Sequence, residues 1–497
     1  MKIEQESNDN AMLSAKKAKN MYCLLKKEVV PALGCTEPIA VALAVAKAAE
    51  TLREITGKKA ALPEKIRIVT SLNIYKNGMG VGIPGTDMTG LYIASALGAI
   101  AGDSRKELEV LSGVKPAHVA AARKFVEQGG VEIEATGHVN KVYAEAVCFL
   151  EGRRTRVVIE ETHQNIVLVE ADGKEIFAKK TSKAGEKAQE DLYDVTMDEI
   201  YDFATKQPLA DISFIIDQAQ LNKKLSDYGL KHKSGMGIGA TLLNWSKKHK
   251  SVGDNQLINH AMALTAAASD ARMSGALLPA MSNSGSGNQG ITAMMPVLAV
   301  AEKLGVDKER LARALILSNL TAIHIKHGFG RLSAACGCVV ASTGAACGVC
   351  YLLGGTGEQI KHAIKNMIGN LTGMVCDGAK LGCALKVASG TSAAMQAAIL
   401  AIENVYVPGS NGIIEDDVER TIRNIGQIAS KAMNQADEVI LDIMVNKQVE
   451  KQDGTRKKAV KKSAPKKKAV STGKAKKAVE REKAAAKTKK NTKNKQL

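Results

Sequence analysis

Six of the chain's nine cysteines, at 336, 338, 347, 350, 376 and 383, crowd into residues 331–390. Their neighbours are mostly Ala, Gly and Ser, which offer little bulky side chain to bury. A second chemical feature is Cys35 in PALGCTEP, where Pro31 and Gly34 interrupt one helical pattern and Thr36, Glu37 and Pro38 restart another. Pro38 suits the first turn, with Thr36 or Glu37 as the cap, so Cys35 lies beside a helix N-terminus where the macrodipole favours thiolate. A third is MSNSGSGNQG at 281–290, a run of small and amide residues opening the helix ITAMMPVLAVAEKLG. Backbone N–H groups, hydroxyls and amides at a helix start make a cradle for a carboxylate or phosphate. Finally, TAIHIKHGFGRLS brings His324, Lys326 and His327 close in sequence to Cys336.

The start MKIEQESNDN is polar and lacks the apolar core of a signal peptide, which argues for a cytoplasmic chain and for metal binding or catalysis before disulfides. Three arrangements of the cysteines compete. A zinc ribbon needs two paired CxxC elements, and the chain has one, Cys347 with Cys350, in an Ala/Gly-rich helical run where i and i+3 share a face and pack. A dithiol redox site would use the same pair, but nothing around it reads as a strand leading into an exposed helix start. The third is an iron–sulfur cluster held by thiolates from separate segments, one at the CGC of 336–338 and two, Cys376 and Cys383, flanking the glycine-bearing loop Asp377–Gly382.

The elements that must position these residues fall into an α+β pattern. Residues 1–16 are polar and read as a flexible start, followed by an α/β region over 17–195 and a helical domain over 196–446. KIRIVTSLNI (65–74) alternates as a strand does, and NGMGVGIPGTDMTG (77–90) reads as a loop near a ligand or another backbone rather than a dinucleotide fingerprint. Helices are expected over 88–111 and 116–128. The run from Val131 to Phe177 alternates repeatedly, as three or four antiparallel strands joined by tight turns, with Cys148 and His163 in structural roles. Asp307 is placed to cap the helix KERLARALILSNL. Sparse aromatics (3%) with 44 Gly and 17 Met imply a core of closely approaching small-residue helices. The apolar run 334–353 carries Ser and Thr and reads as buried helix, with no membrane span.

Charge is segregated. Of the net +18, residues 447–497 carry +16 (18 Lys and 2 Arg against four acids), which leaves +2 for residues 1–446. The body therefore has no basis for binding polyanions, whereas the Lys/Ala-rich tail reads as disordered and suited to nonspecific polyanion contact. A binding protein that docks on nucleic acid through this tail is the alternative from another class. The small-residue helices and low body charge also permit a homo-oligomer.

Four stretches together, PALGCTEP (31–38), SNSGSGNQG (282–290), GRLSAACGC (330–338) and VCDGAKLGCALKVA (375–388), resemble the iron–sulfur L-cysteine desulfidase family, itself similar to the α-subunit of bacterial iron–sulfur L-serine dehydratase. The resemblance spans about residues 20–445. It implies a 4Fe-4S cluster held by Cys336, Cys376 and Cys383 with one iron open, Cys338 being the less favoured member of the CGC pair. Cys35 falls on the family's candidate base. The implied reaction is α,β-elimination of L-cysteine to pyruvate, ammonia and sulfide, with dehydration of L-serine as the alternative. For the small amino-acid substrate, Ser284, Gly285, Asn288 and Gln289 are placed to hold its carboxylate or ammonium, Thr36 and Glu37 adjoin the base, and Lys326 adds positive charge. Cys347, Cys350 and the tail lie outside the family's pattern.

Overall fold

Alternating hydrophobicity and capping residues lay out the elements in chain order. The computed structural model describes residues 13–137, 140–179, 190–248, 256–330, 332–444 and 446–447. Helix α1 (Ala15–Glu28) starts where Ser14 accepts the N–H of Lys17, so regular structure begins within the stretch expected to fray. A short strand β1 (Pro31–Leu33) leads into α2 (Thr36–Thr56), which is buried along most of its length and ends at Gly57 in the left-handed conformation. Strand β2 (Lys65–Ser71) buries alternate residues, with Ile66 and Ile68 fully enclosed. Next come α3 (Leu72–Gly78), α4 (Leu91–Ala101), a short 3-10 turn (Ser104–Glu109) and α5 (Pro116–Glu127). The sheet continues with β3 (Val131–Thr136), β4 (Tyr143–Leu150), β5 (Arg153–Glu160), β6 (Ile166–Ala171) and β7 (Lys174–Ala178).

The strand order is β3-β2-β4-β5-β6-β7. Pairing is antiparallel except between β2 and β3, which run parallel with Ile66 opposite Val131 and Ile68 opposite Ile133. The antiparallel sheet expected from residues 131–177 is thus a mixed one. Helices α3 to α5 form a crossover that returns the chain parallel to β2, and β2 separates β3 from β4 although these are consecutive in sequence.

The helical half comprises α6 (Met197–Lys206), α7 (Phe214–His232), α8 (Ile238–Lys248), α9 (Gln256–Met273), α10 (Gly287–Leu304), α11 (Lys308–Phe329), α12 (Gly337–Leu352), α13 (Gly357–Leu371), α14 (Cys383–Ile402) and α15 (Val418–Gln427). Asp307 caps α11 as its position predicts, its carboxylate accepting the N–H of Arg310 at 2.8 Å. Close helix approach is literal here: a Cβ on Gly344 of α12 would lie 2.2 Å from the Ser318 carbonyl of α11. One strand interrupts the helical half, β8 (Pro279–Met281), which pairs antiparallel with β1 and so joins the two halves of the chain.

Two large hydrophobic clusters and a small one around Cys35, Val81 and Met273 result among the described residues. One large cluster lies between α2, α4 and the sheet, and the other fills the helical half together with α1. The apolar run read as buried helix is α12, almost wholly enclosed. Among the described residues one helix, α14, is long and apolar enough to cross a membrane, and over half of its apolar stretch is buried inside the protein. Apart from Lys447, the basic tail lies outside the described residues.

Candidate active site

The β1–β8 pairing brings two of the motifs together. Beyond β8, the N–H of Ser282 donates to the Val30 carbonyl at 2.9 Å and that of Ser284 to the Glu28 carbonyl at 3.0 Å. The chain then turns through Ser284 (φ 50) and Gly285 (φ 79), closed by a bridge between Asn283 and Ser286. Asn283 is anchored from below, its amide donating to Asn319 Oδ1 at 3.0 Å. From the other side, Thr36 Oγ1 donates to the Gly285 carbonyl at 3.0 Å, tying the start of α2 to the same turn. Helix α10 then opens with no side-chain cap at Ser286. At Gly290 an added Cβ would lie 2.0 Å from the Met281 carbonyl, so only glycine lets α10 start this close to β8.

The cysteine segments close the opposite wall. Cys336 is the residue before α12, and its N–H donates to the Met374 carbonyl at 2.9 Å while that of Cys376 donates to the Ala334 carbonyl at 2.6 Å. This two-way clasp sets Cys336 beside Cys376. The two thiols titrate as one pair: the neighbouring Cys336, with the positive charges of Lys76 and Lys386, holds Cys376 below the ordinary thiol value, and Cys336 is pushed up in turn. Cys383 opens α14 at the far end of the loop, and burial raises its thiol. The loop is braced by Asp377, which pairs with Lys386 at 2.5 Å and Lys380 at 3.0 Å. Gly378 (φ 92) lies so close to the Lys76 carbonyl that a Cβ there would be 2.5 Å away.

Between the two walls lies one cavity of about 110 Å³. Cys35, Thr36, Glu37, Ser284, Gly285, Asn288, Gln289, Lys326, Cys336, Cys338, Cys376 and Cys383 all line it. Cys338 nevertheless has its thiol committed elsewhere, donating to the Lys386 carbonyl at 3.1 Å against the Cα of Gly390. Cys347 and Cys350 are buried within α12 away from this cavity, and burial raises both thiols.

Three expectations change. Cys35 itself precedes the first residue of α2, so Pro38 is the third residue of the helix and neither Thr36 nor Glu37 is the cap. Its thiol is also not a resting thiolate. Burial pushes it up to about 12, outweighing a nearby Arg272 that acts the other way, while the charges of Glu37 and Cys383 add to the rise. His163, read as structural, sits in the turn after β5 and lines the cavity. The motif near Cys336 divides: Lys326 reaches the cavity, but His324 pairs with Glu419 at 2.8 Å and His327 stacks on Tyr193.

Sequence reasoning missed Arg272 near the end of α9, Asn77 at the end of α3, and Lys386 one turn into α14, all of which line the cavity. Asn77 Nδ2 donates to Glu37 Oε1 at 3.0 Å and orients that carboxylate. A signal existed for Asn77, which begins the glycine-rich loop, and for Lys386, which lies in the cysteine motif. For Arg272 the signal was a lone cation in the Ala-rich run of α9.

The matched family model is the serine dehydratase alpha chain, over residues 105–442. The chain belongs to that family, and its class is a serine dehydratase-like lyase. Among its relatives is the "UPF0597 protein BF3560" of Bacteroides fragilis, 47% identical over 430 residues, covering 86% of this chain and 98% of that one. A UPF0597 protein of Oleidesulfovibrio alaskensis is 47% identical over 85% of this chain and 97% of its own. A third, from Photobacterium profundum, is 45% identical over 85% and 97% respectively.

Proposed function

We propose that the chain is a cluster-dependent lyase that eliminates hydrosulfide from L-cysteine to give pyruvate, ammonia and sulfide. The observation that carries this reading is the convergence of Cys336, Cys376 and Cys383, from two segments, on one buried cavity with Cys35 and the 282–290 turn.

The donor set fits an iron–sulfur cluster. Among the described residues no three His, Cys, Asp or Glu side chains close on a point as a single ion demands. Three thiols that line one cavity suit a cluster, whose irons each take one thiolate. Cys336, Cys376 and Cys383 would hold it, Cys338 being occupied by α14, and it would supply a Lewis-acidic iron with one position open. Lys76, which donates to the Cys376 carbonyl at 3.3 Å, and Lys386, which donates to that of Val375 at 2.8 Å, place positive charge beside these thiols.

The chain's own groups serve the rest of the reaction. Removing the α-proton of an amino acid needs a group at hydrogen-bond distance and a site that excludes water. Cys35, 3% exposed and between Arg272 and Glu37, is our candidate for receiving that proton; because its thiol rests neutral, it must first give up its own proton, to Glu37 or to solvent, and accepts the α-proton as the thiolate. Glu37, held by Asn77 and Thr36, offers an acceptor for the substrate ammonium. The α C–H and β C–S bonds break, the proton stays with the protein, hydrosulfide leaves, and the aminoacrylate tautomerises and hydrolyses to pyruvate and ammonia. L-Serine, with water leaving instead, is the second reading, favoured by the name of the matched family.

Anaerobic purification of the wild type and of Cys376→Ala tests this. The expected result is iron with matching acid-labile sulfide in the wild type, much less in the variant, and pyruvate release faster from L-cysteine than from L-serine. Faster release from L-serine would assign the second reading. Iron-free protein that cannot be reconstituted, with neither substrate turned over, would end both.

A further inference from the structure

We infer that Arg272, together with the open N-terminus of α10, is the residue that anchors the α-carboxylate of the substrate and so restricts this site to free α-amino acids. The inference rests on the lyase reading for the identity of the substrate, but its physical basis is independent of the cysteines.

Arg272 is 3% exposed and lines the cavity. A guanidinium cannot shed its charge, so burying one is costly unless an anion meets it. Among the described residues no carboxylate lies within ion-pair distance of Arg272, and its buried Nε has no hydrogen-bond partner. The cation is therefore buried, aimed into the cavity and uncompensated.

The second component sits against it. Helix α10 runs for 18 residues and has no side-chain cap. The N–H groups of Gly287, Asn288 and Gln289 make no hydrogen bond among the described residues, the first satisfied one being Gly290 to the Ser286 carbonyl at 3.2 Å. Unbonded N–H groups and the positive end of the helix favour an anion here. The guanidinium lies directly on Gly287, where a Cβ would fall 2.2 Å from Nε and 2.8 Å from Cζ. Any side chain at 287 would push the two components apart.

A planar group with two oxygens matches both at once, because the guanidinium donates in a fork and the N–H groups add donors alongside. A carboxylate of an amino acid meets this need, and Glu37 with Cys35 then lies within the same small cavity for the amino group and the α-carbon.

The test is calorimetric titration of the anaerobically purified full chain with L-alanine, which has no β-leaving group, and with ethylamine, which also lacks the carboxylate. The wild type should bind L-alanine at least tenfold more tightly than ethylamine. Arg272→Gln should lose that preference, its affinity for L-alanine falling tenfold or more, and Arg272→Lys, which keeps charge but not the fork, should fall between. Cys35→Ser should keep the preference. Because Arg272 has no internal anion, Arg272→Gln should unfold at the wild-type temperature or above it, which a structural arginine would not allow. Equal binding of L-alanine by wild type and Arg272→Gln would overturn the inference. So would loss of iron from Arg272→Gln with carboxylate preference intact, which would assign the charge to the thiolates. If neither L-cysteine nor L-serine is turned over yet L-alanine binding still depends on Arg272, the elimination reading fails and the carboxylate anchor stands.

Discussion

Replacing Lys76 by Met should destabilise the protein sharply, for a reason visible in its surroundings. Lys76 is 2% exposed, and its Nζ forms an ion pair with Asp437, whose side chain is 13% exposed, while also donating to the Cys376 carbonyl at 3.3 Å. The second oxygen of Asp437 has no partner among the described residues. Without Lys76 the enclosed carboxylate loses its ion-pair partner and keeps only the nearby charge of Lys141, and breaking a buried pair costs about 3–5 kcal/mol. Residual solvent access to Asp437 places this case near the lower end, about 3 kcal/mol. That is a large share of the roughly 5–15 kcal/mol that holds a folded domain. Removing both charges is a different perturbation, because no lone ion remains. Urea unfolding followed by far-UV circular dichroism for Lys76→Met, Asp437→Asn and the double variant forms the cycle. Each single change should cost about 3 kcal/mol and the double change no more than either. Additive costs, or single costs below about 0.5 kcal/mol, would refute the argument that a buried, interdependent pair joins α3 to the chain around 437.

Two further outcomes are expected. Gly290→Ala would force a Cβ to within 2.0 Å of the Met281 carbonyl; the start of α10 must move off β8, and turnover should fall at least tenfold, on the order expected for a misplaced binding group, while far-UV dichroism stays near that of the wild type. An unchanged rate would show that the turn is not a rigid part of the site. On the sheet, Glu145 accepts from Tyr143 at 2.7 Å and Arg156 at 2.8 Å. Burial opposes its ionisation, but these bonds and the Arg156 charge outweigh it and hold its carboxyl below the ordinary value. The unfolded state then binds more protons, so this contribution is full above the unfolded value of about 4.3 and is lost as pH falls through the folded one. Glu145→Gln should flatten the fall in melting temperature between about pH 5 and pH 3, and an identical slope in both proteins would contradict the assignment.

Local signals were legible wherever the physics was local. Asp307 could be read as a cap because capping involves residues three apart, and KIRIVTS could be read as a strand because alternate burial has a period of two. The burial of α12 followed from its composition alone. The position of Cys35 beside a helix start was also readable, yet its ionisation was not. The macrodipole acts over one turn and shows in sequence, whereas the burial that outweighs it is supplied by Val81, Met273, Ala379 and Cys383, each distant in the chain. Strand order failed for a similar reason: β3 and β4 are adjacent in sequence, but the crossover through α3 to α5 inserts β2 between them.

By itself the sequence determined which residue types are available for chemistry and most of the elements that carry them: the cysteines, the 282–290 turn, Cys35 and the separation of a basic tail from a nearly neutral body. Only the tertiary structure decided which of them share a space. The pairing of β1 with β8 and the clasp between Cys336 and Cys376 carry them into one cavity, and both are contacts between residues far apart in the chain. The same packing encloses Arg272 without an anion of its own, since charge compensation is a property of the folded neighbourhood and has no counterpart in local sequence.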